Sequence, residues 1–231
     1  MKEIQRISIT DAVVENMKEL IESGEYEAGQ KLPTEAKLCE MLKVSRTSVR
    51  EAFRVLQALG YVVIKAGKGA FVAEKKPGLG EKEPWYEADN VQFSDFMEVR
   101  CAVEPLGVRL AVERASEKQI AELSEIHHSF VEANMGHDMA KLIMLDELFH
   151  TKIMSFTKNP LLININKQLL DSFRVYRGES FMNTEVYGNA VAPHERILEC
   201  FKSHDAEQAV LEMQRHLDIT GEDMRHLHNM Q

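Results

Sequence analysis

The sequence predicts a mainly α-helical protein of two domains, an N-terminal winged helix-turn-helix domain and a C-terminal all-α helical bundle. Its 231 residues, 44% hydrophobic and 28% charged, exceed the usual size of one domain and suffice for two packed cores. Apolar residues recur at helical spacing through most of the chain, interrupted by one short β-rich pattern. A stretch rich in Pro, Gly and charge divides the chain, which places domains at 1–75 and 93–231 and a linker at 76–92.

Three short helices are predicted in the N-terminal domain. The first covers 9–23, with Thr10 or Asp11 as its cap. The second begins after a Thr34 cap and ends at residue 42, and the third begins after a Ser45 cap and ends at residue 58. Two short helices joined by a tight turn are typical of a helix-turn-helix.

A β-hairpin is predicted directly after the third helix. The runs 61–65 and 70–73 are rich in β-branched and aromatic residues, and they flank the turn sequence Ala-Gly-Lys-Gly. A hairpin in this position is the wing of a winged helix-turn-helix.

The C-terminal domain is predicted to be entirely helical. Ser116 with Gln119, and Asp205 with Gln208, are capping-box signatures, and Pro105 interrupts the backbone hydrogen bonds of the first helix. The predicted helices cover 94–114, 117–134, 138–157, 160–180, 192–202 and 205–228.

Cysteine usage and hydropathy limit the cellular compartments in which this protein is expected. Cys39, Cys101 and Cys200 are odd in number and far apart, which argues against a disulfide framework and against a zinc site of clustered thiolates. No signal-peptide pattern opens the chain, and no apolar run reaches the roughly 18 residues that a membrane span needs. We therefore expect a cytoplasmic protein.

Charge is distributed unevenly along the chain. The net charge is −9, but residues 31–75 contain nine Lys and Arg against four Asp and Glu. Phosphate attraction requires a local concentration of this kind. Ordinary fluctuation of charge along a sequence is the alternative explanation.

The third helix carries most of the candidate DNA contacts. Arg46, Arg50 and Arg54 are four residues apart and share one helix face. Arginine can pair with guanine edges or phosphates, and lysines on the wing can reach the flanking backbone. A solvated basic face is the alternative. The predicted DNA-contacting residues are Thr34, Ser45, Arg46, Thr47, Ser48, Arg50, Lys68 and Gly69.

Candidate metal ligands occur in the C-terminal domain. Asp146 and His150 are four residues apart on one side of a helix, and His194 and His216 follow in later helices. Three imidazoles and a carboxylate suit a divalent transition metal such as zinc, nickel or manganese. The alternative is that some of the nine histidines are scattered over these helices without a shared role. Spacing alone does not show that the four residues meet.

The N-terminal sequence resembles the winged helix-turn-helix of the GntR family of bacterial regulators. The resemblance covers residues 8–74, and its most specific part is GQKLPTEAKLCEMLKVSRTSVREAFRVLQALGYVVIKAGKGAFV, from Gly29 to Val72. It implies operator contacts from the start of the third helix and from the wing tip. The residues so implied are Arg46, Thr47, Ser48, Arg50, Lys68 and Gly69.

Residues 93–228 resemble the helical ligand-binding domain of FadR-type GntR regulators, in its metal-binding variety. The matching segments are EVRCAVEP with Arg100 and Glu104, DELFH with Asp146 and His150, Asn159-Pro160, HERIL from His194, and MQRHL with His216. The resemblance implies that four protein ligands hold a metal whose open positions bind a small organic acid. Arg100, and in second place Arg174 or Arg177, would pair with the remaining charge of that effector. For Arg174 and Arg177 a surface salt bridge is the favoured alternative.

These expectations describe a dimeric transcription regulator that binds a palindromic operator, a repressor released or reoriented by its effector, and not an enzyme. Two alternatives remain open at this point. One is a metal-dependent enzyme acting on small hydroxy-acids. The other is an architectural DNA-binding dimer whose helical domain has no ligand.

Overall fold

The computed structural model describes residues 8–74, 91–183 and 186–229. The chain divides into two compact units, Met1–Gly78 and Leu79–Gln231. Most of the predicted linker, 76–92, lies outside the described residues. The helices of the first unit are α1 (Ile9–Glu22), α2 (Glu35–Leu42) and α3 (Arg46–Ala58), and its strands are β1 (Val62–Lys65) and β2 (Gly69–Val72).

Side-chain caps determine where the first helices begin. Thr34 Oγ1 accepts from the backbone N–H of Lys37 at 3.3 Å, and Ser45 Oγ accepts from that of Ser48 at 3.1 Å, as predicted. The predicted cap of α1 was wrong, because Ser8 performs that role. The side chain of Ile9 is 59% exposed, so it is not part of the apolar face that α1 buries. Hydrophobic periodicity therefore could not mark the first turn.

The wing is a two-stranded antiparallel hairpin in which Val62 pairs with Val72. Gly69 has a φ of +107°, a conformation that side chains rarely adopt, so glycine is required at this point of the turn. The segment around Lys31 pairs with β2 on its other side, where Lys31 forms an isolated bridge to Phe71. This extra pairing fastens the turn before α2 to the wing.

The second unit is a helical bundle. Its helices are α4 (Phe93–Arg114), α5 (Glu117–Met135), α6 (Met139–Phe156), α7 (Pro160–Met182), α8 (Val191–Lys202) and α9 (Ala206–Asn229). Helix α4 packs on α9 and α6, and α5 packs on α6 and α8. None of the described helices is long and apolar enough to cross a membrane. The core contains Val108, Leu123, Leu142, Phe149, Ile197, Phe201 and Leu217, each at most 1% exposed.

Helices α4 and α6 approach each other closely at Gly107. A Cβ atom at this position would lie 2.3 Å from the Sδ atom of Met154, which is buried. The absence of a side chain at Gly107 therefore brings α4 close to α6, which carries two of the candidate metal ligands. Pro105 lies inside α4, as predicted.

One predicted capping box is complete and the other is half formed. Ser116 Oγ accepts from the N–H of Gln119 while Gln119 Oε1 accepts from the N–H of Ser116. Asp205 Oδ1 accepts from the N–H of Gln208 at 2.9 Å, but the side chain of Gln208 donates to Glu212 instead. The side chain of Gln208 is therefore engaged by the carboxylate of Glu212 instead of completing the capping box with Asp205.

Replacement of Ser116 by Ala should lower the free energy of unfolding by about 1 kcal/mol, because the first turn of α5 loses a capping acceptor. Urea denaturation followed by circular dichroism measures the change. Ser172→Ala is the matched control, since Ser172 lies within α7 and its hydroxyl donates to the carbonyl of Gln168 in the same helix, not to a helix terminus. Equal stability of both variants would contradict the expected capping role.

Candidate metal centre and nucleic-acid interface

The four candidate metal ligands meet in the interior of the second unit. Asp146 and His150 lie one turn apart on α6, His194 lies in the first turn of α8, and His216 lies on α9. One potential ligand atom from each residue lies within 4.8 Å of the others, and all four residues are buried. Packing of three helices therefore creates a cluster that spacing along the chain could not establish.

The ring nitrogens and the carboxylate converge on one point. His150 Nε2 lies 3.1 Å from His216 Nε2. Asp146 Oδ1 lies 3.5 Å from His194 Nε2 and 3.9 Å from His150 Nε2. Such distances between lone-pair donors are those expected when several groups face a common centre.

Several of these polar atoms have no hydrogen-bond partner among the described residues. His194 is 0% exposed, and neither of its ring nitrogens forms a hydrogen bond. An unpaired buried polar group costs about 1–3 kcal/mol. A metal ion would bind one nitrogen of each ring, for His194 the Nε2 atom that faces Asp146, so the donor set fits a divalent transition metal.

Burial also sets the protonation states that metal binding requires. It lowers the pKa of His216 to about 3, with a further contribution from His150. It lowers the pKa of His194 well below its usual value, assisted by His216. For Asp146, burial alone would raise the pKa, but His150 and Arg177 outweigh it and the net shift is downward. At neutral pH the cluster therefore contains an ionised carboxylate and neutral rings at His194 and His216, as metal ligands must be.

A second layer of charged residues supports His150. Glu104 Oε2 lies 2.8 Å from His150 Nδ1, and Arg100 Nε donates to Glu104 Oε1 at 2.5 Å. Arg100 and Glu104 are both 2% exposed. Glu104 Oε2 and His150 Nδ1 approach each other as an ion pair without the alignment of a hydrogen bond. A carboxylate in this position can orient the ring of a metal-binding histidine. The motif that contains Glu104 was evident in the sequence, but this positioning role was not.

A cavity of about 30 Å³ lies beside the cluster. Asp146 and His216 form part of its wall, and Arg100 and Arg177 provide positive charge. Arg177 Nε donates to Asp146 Oδ2 at 2.6 Å, whereas its buried Nη2 has no hydrogen-bond partner in the described part of the chain. The cavity therefore offers an unused guanidinium donor next to the candidate ligands.

Arg174 and Arg177 have different positions. Arg177 lines the cavity, but Arg174 is not among the lining residues. Arg174 donates to both oxygens of Glu147, at 3.1 and 2.8 Å, in a bidentate pair. The structure therefore brings Arg177 to the site and engages Arg174 in a salt bridge. The two residues are one turn apart, so sequence spacing could not distinguish them.

The start of α3 forms an exposed polar surface in the first unit. Ser45, Arg46, Thr47 and Arg50 are exposed, as is Thr34 at the start of α2. Arg54 instead donates to Glu51 Oε2 at 2.7 Å. An exposed helix start with arginines and free backbone amides can enter a major groove.

The wing adds basic groups to the same unit. Lys68 and Gly69 are exposed at its tip. Lys65 Nζ lies 4.9 Å and Lys31 Nζ 5.9 Å from the centre of the Phe71 ring. Sequence reasoning missed Lys31, because only the bridge between its segment and β2 brings it to the wing.

Comparisons with known proteins agree with these two units. Residues 9–72 match the family model "Bacterial regulatory proteins, gntR family", and residues 95–219 match the "FCD domain" model. The galactonate operon transcriptional repressor of Escherichia coli K12 is 28% identical, over 88% of this chain and 93% of its own. The transcriptional repressor NanR of Enterobacter sp. strain 638 is also 28% identical, over 93% of this chain and 85% of its own.

Solved structures share the fold. McbR/YncC of E. coli has a TM-score of 0.55 at 21% identity, with 96% of this chain and 100% of that chain covered. A GntR protein of Streptococcus agalactiae has a TM-score of 0.51 at 23% identity, with 91% and 98% covered. Neither the enzyme nor the architectural alternative finds support among the relatives. The chain therefore belongs to the gntR family of bacterial regulatory proteins, in the group with an FCD domain, and is a DNA-binding transcription regulator and not an enzyme.

Proposed function

We propose that this regulator is a repressor that binds a palindromic operator as a homodimer and responds to a small carboxylate effector at a divalent transition metal. The observation that carries the proposal is the buried convergence of Asp146, His150, His194 and His216 beside a cavity with two arginines. Effector binding would release the operator or reorient the protein on it.

Asp146, His150, His194 and His216 would hold the metal. Their three imidazoles and one carboxylate suit zinc, nickel or manganese. A bound ion of this kind supplies a Lewis acid to which a carboxylate and a neighbouring hydroxyl can bind. Glu104 orients His150, and Arg177 holds Asp146 through the 2.6 Å hydrogen bond.

Charge and volume both favour a small anionic effector. Around the candidate ligands, the positive charges of the buried Arg100 and Arg177 balance the negative charges of the buried Glu104 and Asp146. A divalent ion would therefore leave a local excess of positive charge at this end of the cavity. A water needs about 10–15 Å³ of such space. The cavity of about 30 Å³ has room for about two or three waters, which is far too little for a long acyl chain.

The proposed operator contacts come from residues of the first unit that are exposed, apart from the half-buried Ser48. Arg46, Thr47, Ser48 and Arg50 would lie in the major groove, with Ser45 and Thr34 near phosphates and the wing tip, Lys68 and Gly69, on the flanking backbone. Two-fold symmetry of a dimer explains a palindromic site. Repression of transcription, as opposed to activation, is supported by relatives that are named as repressors.

The decisive experiment measures operator binding with and without metal and carboxylate. A duplex selected from a random-sequence library by binding to the protein provides the operator, and fluorescence anisotropy provides the affinity. We expect a small carboxylate to change operator affinity in the metal-loaded protein and to have no effect after chelation. An equal effect in both forms would refute the metal-dependent response.

The metal content of the purified protein should be about one ion per chain, because the donor set is complete. His194→Ala should remove most of this metal, which elemental analysis measures. His128→Ala is the matched control, since the side chain of His128 is 70% exposed and lies outside the cluster. Wild-type protein that takes up no transition metal after reconstitution would contradict the proposal.

Glu104→Gln should weaken metal binding by about 10–100-fold without removing any ligand, because the ring of His150 loses its orienting carboxylate. Competition with a chromophoric chelator measures the affinity. Glu117→Gln is the control, since the side chain of Glu117 is 86% exposed. A variant with lower stability but wild-type metal affinity would show that Glu104 acts only on folding.

Arg50→Ala should reduce specific operator affinity by about 1–3 kcal/mol, whereas loss of a phosphate contact at Lys68 should weaken all DNA binding similarly. Anisotropy titrations on the operator and on a scrambled duplex separate the two effects. Arg215→Ala is the control, because the side chain of Arg215 is 59% exposed on the other unit. Unchanged operator affinity in Arg50→Ala would remove α3 from the interface.

A further inference from the structure

The cavity in the second unit has two chemically different ends. It follows the inner face of α9 over two turns, from His216 past Thr220 to Asp223. Arg100 and Arg177 provide positive charge in its lining. The carboxylate of Asp146 at the His216 end accepts a hydrogen bond from Arg177, whereas the carboxylate of Asp223 at the other end accepts from the amide of Asn189, with the hydroxyl of Thr220 nearby.

Asp223 is held in place by the segment that leads into α8. Asn189 Nδ2 donates to Asp223 Oδ1 at 2.9 Å. Asp223 is half-buried, and its other charged neighbours are Glu222 and His226. Burial raises the pKa of Asp223 in spite of the hydrogen bond from Asn189. A half-buried carboxylate with one amide donor retains acceptor capacity for further hydrogen bonds.

We infer that Asp223 determines effector specificity by accepting a hydroxyl from the tail of the effector and rejecting a second carboxylate. This inference rests on the proposed function, because it assumes that the first carboxylate binds beside His216. The ligand class is then a polyhydroxylated monocarboxylic acid.

The reason is electrostatic. A hydroxyl tail can donate to Asp223, and Thr220 and Ser180 offer further hydroxyl partners in the same lining. A carboxylate tail would place a second negative charge next to Asp223. The oxygens of the two carboxylates would then face each other, and both groups only accept hydrogen bonds. Rejection by an unpaired or like charge is a common source of specificity. The cavity therefore selects against diacids without any change at the metal ligands.

The test uses pairs of acids that differ only at the far end. Glycerate is paired with tartronate, threonate with tartrate, and gluconate with glucarate. In each pair the second acid has a terminal carboxylate where the first has CH₂OH. Binding to the metal-loaded full chain is measured by isothermal titration calorimetry for the wild type and Asp223→Asn. Asp218→Asn is the matched control, because Asp218 is exposed on the same helix and does not line the cavity.

We expect the wild type to prefer the monocarboxylate of the best-binding pair by about tenfold or more, as like-charge juxtaposition requires. Asp223→Asn should reduce that ratio towards one, while Asp218→Asn should leave it unchanged. A wild type that binds the diacid equally well or better, or an unaltered ratio in Asp223→Asn, would overturn the inference.

Failure of the inference can be distinguished from failure of the proposed function. Lactate and citrate are titrated in parallel. If one of them binds and none of the paired hydroxy-acids does, the inference fails and the metal-dependent effector site stands. If the protein takes up no metal and binds none of these acids, the proposed function itself fails.

Discussion

The burial of charged and polar groups in a helical core is the constraint on which the second unit depends. His194 and His216 would be costly in this position without partners, because desolvation penalises every unpaired polar atom. The surrounding residues reduce that cost in two ways. Burial keeps the two rings neutral, and arginines neutralise the carboxylates of Asp146 and Glu104.

The same constraint connects the site to the packing of the bundle. The ligands come from α6, α8 and α9, and the supporting pair of Arg100 and Glu104 comes from α4. A bound metal would therefore tie several helices together. Helices α4 and α6 approach each other closely at Gly107, and the same two helices bring Glu104 next to His150. Ligand binding at such a junction can bias helix positions, which is what allosteric control needs.

The first unit depends mainly on the local geometry of its helix caps and turns. Ser45 contributes both to folding and to the exposed polar surface. It follows the turn after α2, caps α3 and lies at the exposed start of that helix. The tight turn requires Lys43 in a left-handed conformation, with a φ of 54°. The wing depends on the positive φ of Gly69 and on the pairing of the Lys31 segment with β2. Local turn chemistry thus positions the basic groups that face outwards.

The positions of the helices and the hairpin, the family of the chain and the residue types of the candidate site could all be predicted from the amino-acid sequence. These follow from local rules, because periodicity, caps and motifs act over a few residues. The meeting of Asp146, His150, His194 and His216 depends on how the helices pack. The packing also decided that Arg177 and not Arg174 lines the cavity, and that Asp223 forms its far end. Periodicity shows which residues share a face of one helix, whereas the crossing and register of packed helices decide which faces meet.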